Sequence, residues 1–240
     1  MNQLSFSIWM SGLFRRENRK PTIILLSAPV ILTTFRYYGT KDFYLNHFAL
    51  AFPLLGNGEL ASVLYTFSSS LILLGLLPAL MVKFIFHESV SHYGVRLGDW
   101  KFGAKAFLIL GPVMVAFTYP SSRMESFVAE YPLYKGAGVS PSIFIVYSLL
   151  YLVYYLGWEF FFRGYMQFGL KERLGDANAI LVQTLASCLL HIGKPDAEIY
   201  SSILGGIVWG MVVFRARSLL PVLLLHWLLG ISLDAFIVYW

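Results

Sequence analysis

Apolar residues run along this chain in long uninterrupted blocks, and the polar residues gather between them. Seven blocks stand out, at roughly 22–38, 60–86, 104–120, 140–163, 178–192, 199–214 and 219–238. A membrane-crossing helix needs about 20 apolar residues, so the fifth and sixth blocks are short. A further stretch, FYLNHFALAFPLLG at 43–56, is interrupted by Pro53 and Gly56 and reads either as an eighth span or as a re-entrant piece. Ahead of the first block, Leu4, Ile8, Met10, Leu13 and Phe14 suggest a short interfacial helix. No signal peptide is expected, because the bases follow the apolar stretch and no small-residue cleavage site appears. The pattern predicts an all-α polytopic transmembrane helical bundle of about seven to eight spans. An outer-membrane barrel would instead alternate apolar and polar residues in segments of about ten. The loops at 87–103 and 121–139 read as connectors, and His87 and His92, five apart, as loop residues and not metal ligands.

Composition agrees with the pattern and narrows it. Of 240 residues, 58% are hydrophobic and 13% charged, against about 25% charged in an average soluble domain. Mean hydropathy is +0.67. These values exclude disorder and argue against a soluble globular fold or a coiled coil. Cys188 is the single cysteine, so an intrachain disulfide is impossible.

The net charge of +5 comes from 18 Lys and Arg against 13 Asp and Glu. No basic stretch has the aromatic interleaving of a nucleic-acid groove, and no nucleic-acid partner is expected. The bases sit at the ends of apolar blocks, where they set topology. With the N-terminus in the cytoplasm and seven alternating spans, 13 of the 18 fall on the cytoplasmic side. The far side receives Arg36, Lys41, Arg123, Lys135 and Lys194. An eighth span at 43–56 would invert everything after it.

Ionisable groups within apolar helices are expensive and mark functional candidates. Three places qualify. In GWEFFFRGY, Glu159 and Arg163 are four apart and share a helix face. They read as a self-neutralising buried pair, or as a general base with its cationic support. In LLHIGKPDAE, His191 closes an apolar helix and Glu198 opens the next. Helix-stop chemistry accounts for Gly193, Lys194 and Pro195, but less well for His191 and Glu198 at apolar edges. In LLLHWLLGISLDAF, His226, Gly230 and Asp234 fall on one stripe. A lone membrane histidine reads as an interhelical hydrogen-bonding residue, whereas His and Asp on one stripe point to a polar cavity.

Helix arithmetic joins these places. A leg from Glu159 to about Arg173, a turn at Leu174–Ala177 and a leg from Asn178 to His191 are each about 20 Å at 1.5 Å per residue. His191 then returns to the depth of Glu159. The next hairpin, at Arg215–Ser218, brings His226 back up, stopping lower unless the helices tilt. A Glu, an Arg and two His around one cavity form a hydrolytic constellation.

At these residues the sequence resembles the CAAX protease and bacteriocin-processing (CPBP, or Abi) family of intramembrane proteases, whose pattern is EExxxR, FxxxH and HxxxN or HxxxD on separate helices. The first part appears as Trp158-Glu159-Phe160-Phe161-Phe162-Arg163, the second as Ser187 through His191, and the third as His226 through Gly230. The resemblance covers about 140–238. It implies a division into N-terminal helices over 1–136 and a catalytic core over 137–240 within one membrane unit. It also implies an endopeptidase of membrane proteins or peptides in a prokaryotic plasma membrane, with a carboxylate and His191 activating water and His226 stabilising the oxyanion. No cofactor is expected. A divalent metal such as zinc is the alternative, since two histidines and a carboxylate have the ligand types for it.

Three family positions differ here: Trp158 replaces the first Glu, Ser187 the Phe, and Gly230 the Asn or Asp. Three consequences stay open. Glu159 serves as base; or Glu198 supplies the carboxylate and Asp234 the missing polar partner; or the chain is a catalytically silent relative, an immunity or scaffold protein. A small transporter is a third function class, without an inverted-repeat signal to support it.

Overall fold

The structure is a computed structural model that describes residues 11–48 and 58–240. The described residues form helices and connectors, with no named strand among them. The elements are α1 (Arg16–Tyr38), α2 (Lys41–His47), α3 (Gly58–Phe84), α4 (Trp100–Ser121), α5 (Glu125–Glu130), α6 (Pro141–Leu190), α7 (Asp196–Ala216) and α8 (Leu220–Tyr239). The all-α polytopic architecture expected from the sequence is the one observed. The interfacial helix expected near the N-terminus lies mostly outside the described residues.

Among the described residues, five helices are long and apolar enough to cross a membrane, or six if the bent pair α1 and α2 counts as one span. The sequence suggested seven or eight, and much of the difference lies in α6. Its 50 residues are one hydrogen-bonded run, yet Gly175 breaks it with φ 76° and ψ 163°. That left-handed φ suits glycine, which lacks the Cβ that would clash. The chain doubles back there: His191 lies beside Trp158, ring centroids 5.2 Å apart. The hairpin of the helix arithmetic is therefore present, with its legs over 141–174 and 176–190.

Local sequence explains several helix ends. Asp99 caps α4 by accepting from the Phe102 N–H at 3.1 Å. Ser140 caps α6 by accepting from Ile143, with Pro141 just inside the helix. The outward faces stay apolar, as Leu108, Phe117, Leu185 and Leu204 do at more than 60% exposure; a bilayer supplies the apolar surroundings such faces require. Two stretches are π-helical, Ser70–Leu76 in α3 and Phe160–Phe168 in α6. Single-turn widenings of this kind often accompany functional sites, and the second begins directly after Glu159.

The bundle has two distinct ends. At one, Lys20 bridges Glu88 and Glu172, each at 3.0 Å; Arg173 donates to Asn18; and Arg215 pairs with Asp99 at 2.8 Å. At the other, Lys194 pairs with Glu130, and the Lys135 N–H donates to Glu59. Both flanks of 49–57 lie at this second end, because Tyr65 near the start of α3 donates to the Tyr38 carbonyl and stacks near Phe43. The expected eighth or re-entrant segment at 43–56 falls partly outside the described residues. Its described flanks start and finish at the same end.

Candidate active site

The site begins from a buried ion pair on α6. Glu159 and Arg163 are each 1% exposed. The His226 Nδ1–H donates to Glu159 Oε1 at 2.6 Å, and Arg163 Nη1 lies 3.5 Å from the same oxygen. The Arg163 guanidinium sits over the Trp209 ring at 5.4 Å, and Trp209 lies 4.5 Å from the His226 ring. α6, α7 and α8 thus converge on one charge cluster. Carboxylate and guanidinium offset each other's desolvation, and the carboxylate fixes which nitrogen of His226 carries its proton. The cluster is incompletely satisfied: Trp158 Nε1, Glu159 Oε2 and Arg163 Nε are buried with no hydrogen-bond partner. Buried polar atoms of this kind are rare in proteins and concentrate where function requires them.

A second layer lines a cavity of about 220 Å³ that includes His191, Glu198, His226, Trp158, Tyr155 and Tyr131. The His191 Nδ1–H donates to the Ser187 carbonyl at 2.7 Å. A carbonyl can only accept, so the neutral ring keeps its lone pair on Nε2, the nitrogen available to a proton donor. The Ser187 position brings nothing else to the cavity, being 1% exposed. Glu198, in the first turn of α7, receives the Tyr131 hydroxyl on both oxygens, at 2.8 and 2.9 Å. Burial and the Glu198 charge push the Tyr131 hydroxyl well above the usual tyrosine range, so it stays a donor. Lys194 pairs with Glu130 at 2.5 Å and lies over the Tyr131 ring at 5.0 Å, tying the 121–139 loop across the mouth.

Of the residues singled out in the sequence, Glu159, Arg163 and His226 are in one bonded cluster, and His191, Glu198 and His226 share one cavity. Asp234 is not brought to it. It is fully buried, accepts from the Tyr147 hydroxyl at 3.0 Å, and is not among the cavity-lining residues. One turn separates Asp234 from Gly230, and that turn places it beyond the site. The space beside Gly230 is filled from another helix: a Cβ there would lie 2.2 Å from the Tyr155 hydroxyl. The Tyr155 ring packs on His226 with centroids 4.4 Å apart. Tyr131, Tyr155, Trp158 and Trp209 had no distinguishing signal in a chain so rich in aromatics. The one hint was Gly230, a missing side chain whose space needs an occupant.

Residues 138–231 match the family model described as type II CAAX prenyl endopeptidase Rce1-like. The match supports the resemblance of this segment to the CPBP family. The matched segment contains all three CPBP motif positions and Glu198, and ends before Asp234. No curated protein and no solved structure gives a match. With five or six candidate spans and this core, the chain is an integral membrane protein with a CAAX-type intramembrane protease fold. Among the described residues, no group of three or more His, Cys, Asp or Glu side chains is arranged to hold a metal ion. His191 and Glu198 line the cavity, but Glu159, the carboxylate bonded to His226, lies behind it.

Proposed function

We propose that the chain is an intramembrane endopeptidase in which Glu198 and His191 activate the attacking water. The observation that carries this reading is the shared cavity: a carboxylate, an imidazole with a free Nε2 and a second imidazole line it from α6, α7 and α8. Water bound between Glu198 and His191 loses a proton to the carboxylate as its oxygen adds to the scissile carbonyl. The proton then passes to the leaving amine as the carbon–nitrogen bond breaks. In this reading Tyr155 and His226, which also line the cavity, donate to the tetrahedral oxyanion. Glu159 is a positioning residue: it holds His226 by Nδ1 and turns Nε2 away from itself, while Arg163 supplies the countercharge. This arrangement makes Trp158 compatible with catalysis, because the carboxylate comes from α7 instead of from the first motif position. The N-terminus lies on the cytoplasmic side of a prokaryotic plasma membrane, and the substrate is a membrane protein or peptide.

The test uses the purified full chain in proteoliposomes and a pooled library of internally quenched fluorogenic peptides, prenylated and unprenylated. The wild type cleaves members of the pool, and His191→Ala abolishes cleavage while the protein still inserts and folds. Equal cleavage by wild type and His191→Ala contradicts the site. A second reading, a non-catalytic membrane protein of the same fold, is favoured by Trp158 against His191 and by Tyr131 on both oxygens of Glu198. A folded wild type that cleaves nothing in the pool supports it.

A further inference from the structure

We propose that the cavity takes its peptide from the face of the membrane opposite the cytoplasm. Its substrates are then exported polypeptides or the outward-facing segments of membrane proteins. The proposal rests on the peptidase reading above and adds to it the side of access.

Two observations made at different parts of the molecule combine here. The first is the distribution of bases between the two ends. Twelve of the 18 Lys and Arg residues sit at the end that carries the start of α1, the Gly175 turn and the end of α7. The ion pairs of Lys20 with Glu88 and Glu172, and of Arg215 with Asp99, hold that end together. Five bases sit at the other end, and Arg163 is buried between them. Loops rich in Lys and Arg stay in the cytoplasm, and acidic residues count little in that bias. The twelve-base end is therefore cytoplasmic.

The second observation is where the cavity opens. Its exposed lining residues are Arg36, Asp42, Ile192 and Gly193, and its rim is the Lys194–Glu130 pair. All of these belong to the five-base end. Arg36 closes in on the HIGK turn, since a Cβ at Gly193 would lie 3.3 Å from its Nη2. From that mouth the cavity runs inward to Trp158, Tyr155 and His226. The twelve-base end contributes no charged residue to the lining. Peptide entering through the charged mouth must come from the far side.

The access side can be read without activity. In a Cys188→Ser background, Asp42→Cys reports the mouth and Lys101→Cys reports the basic end; both positions are exposed. A membrane-impermeant maleimide should label Asp42→Cys in intact bacterial cells and Lys101→Cys only after permeabilisation. In parallel, a charged, impermeant pool of quenched peptides should be cleaved when added outside intact cells, and not when added to inside-out vesicles. Inverted labelling, or cleavage only in inside-out vesicles, overturns the proposal and leaves the peptidase reading standing. The expected labelling with no cleavage from either face overturns the peptidase reading and the proposal with it.

Discussion

Replacing Glu159 by Gln keeps the shape of the side chain and removes its charge. The amide oxygen still accepts from His226 Nδ1, which now lies 2.6 Å from Oε1, but as a neutral acceptor. A hydrogen bond to a charged group contributes about 1.5–3 kcal/mol, against about 1 for a neutral one. The larger effect falls on Arg163, whose guanidinium is 1% exposed and pairs with no other carboxylate among the described residues. Leaving one partner of a buried ion pair unpaired costs about 3–5 kcal/mol. Glu159→Gln should therefore destabilise the fold by about 3–5 kcal/mol, seen as a lower midpoint in equilibrium unfolding by SDS in mixed micelles. Glu198→Gln is the control. The Tyr131 hydroxyl keeps an acceptor and no buried cation loses its partner, so the loss should stay below about 1 kcal/mol. Equal stability of Glu159→Gln and wild type, or an equal loss in Glu198→Gln, refutes the division into a buried supporting carboxylate and a cavity-facing one.

Further outcomes follow from single contacts. Gly157→Ala places a Cβ 2.2 Å from the Ser70 carbonyl oxygen, and backbone cannot swing aside. It should cost about 1–3 kcal/mol and lower the yield of folded protein. Tyr155→Phe should cut kcat about 100-fold with little change in KM, as loss of an oxyanion donor does. Gly230→Asn alone should be worse, through its clash with the Tyr155 hydroxyl, and pairing it with Tyr155→Phe should recover part of the activity; a double variant no better than Gly230→Asn contradicts the steric coupling. At the mouth, burial pushes the Glu130 carboxyl up, but Lys194 beside it wins and holds it below the usual glutamate range. A depressed carboxyl stabilises the fold above its unfolded value, and that contribution is lost as pH falls through the folded one. Proteolytic nicking of the 121–139 loop should thus rise in acid, and Glu130→Gln should raise it already at neutral pH and flatten the dependence.

Much of the architecture was legible because the apolar blocks are long and the turn signals strong. The hairpin that returns His191 to the depth of Glu159 could be placed from helix rise and a turn at Leu174–Ala177; that Gly175 makes the break was not legible in advance. The cluster of Glu159, Arg163 and His226 was readable for a thermodynamic reason: charges inside apolar helices need partners, and few partners exist in so sparsely charged a chain. The aromatic contributions were not readable. Tyr155 and Trp209 look like any packing residue until the fold sets their rings against His226. Asp234 shows the opposite error of scale, because one helical turn on a shared stripe was enough to carry it to Tyr147. The π-helical widening after Glu159 has no sequence signature.

The most direct measurement is kcat for Glu198→Gln, in proteoliposomes, against a peptide the wild type cleaves. A cavity-facing general base predicts a loss of about 100- to 10,000-fold with the unfolding midpoint near that of the wild type. Wild-type kcat in Glu198→Gln contradicts it and returns the base to Glu159.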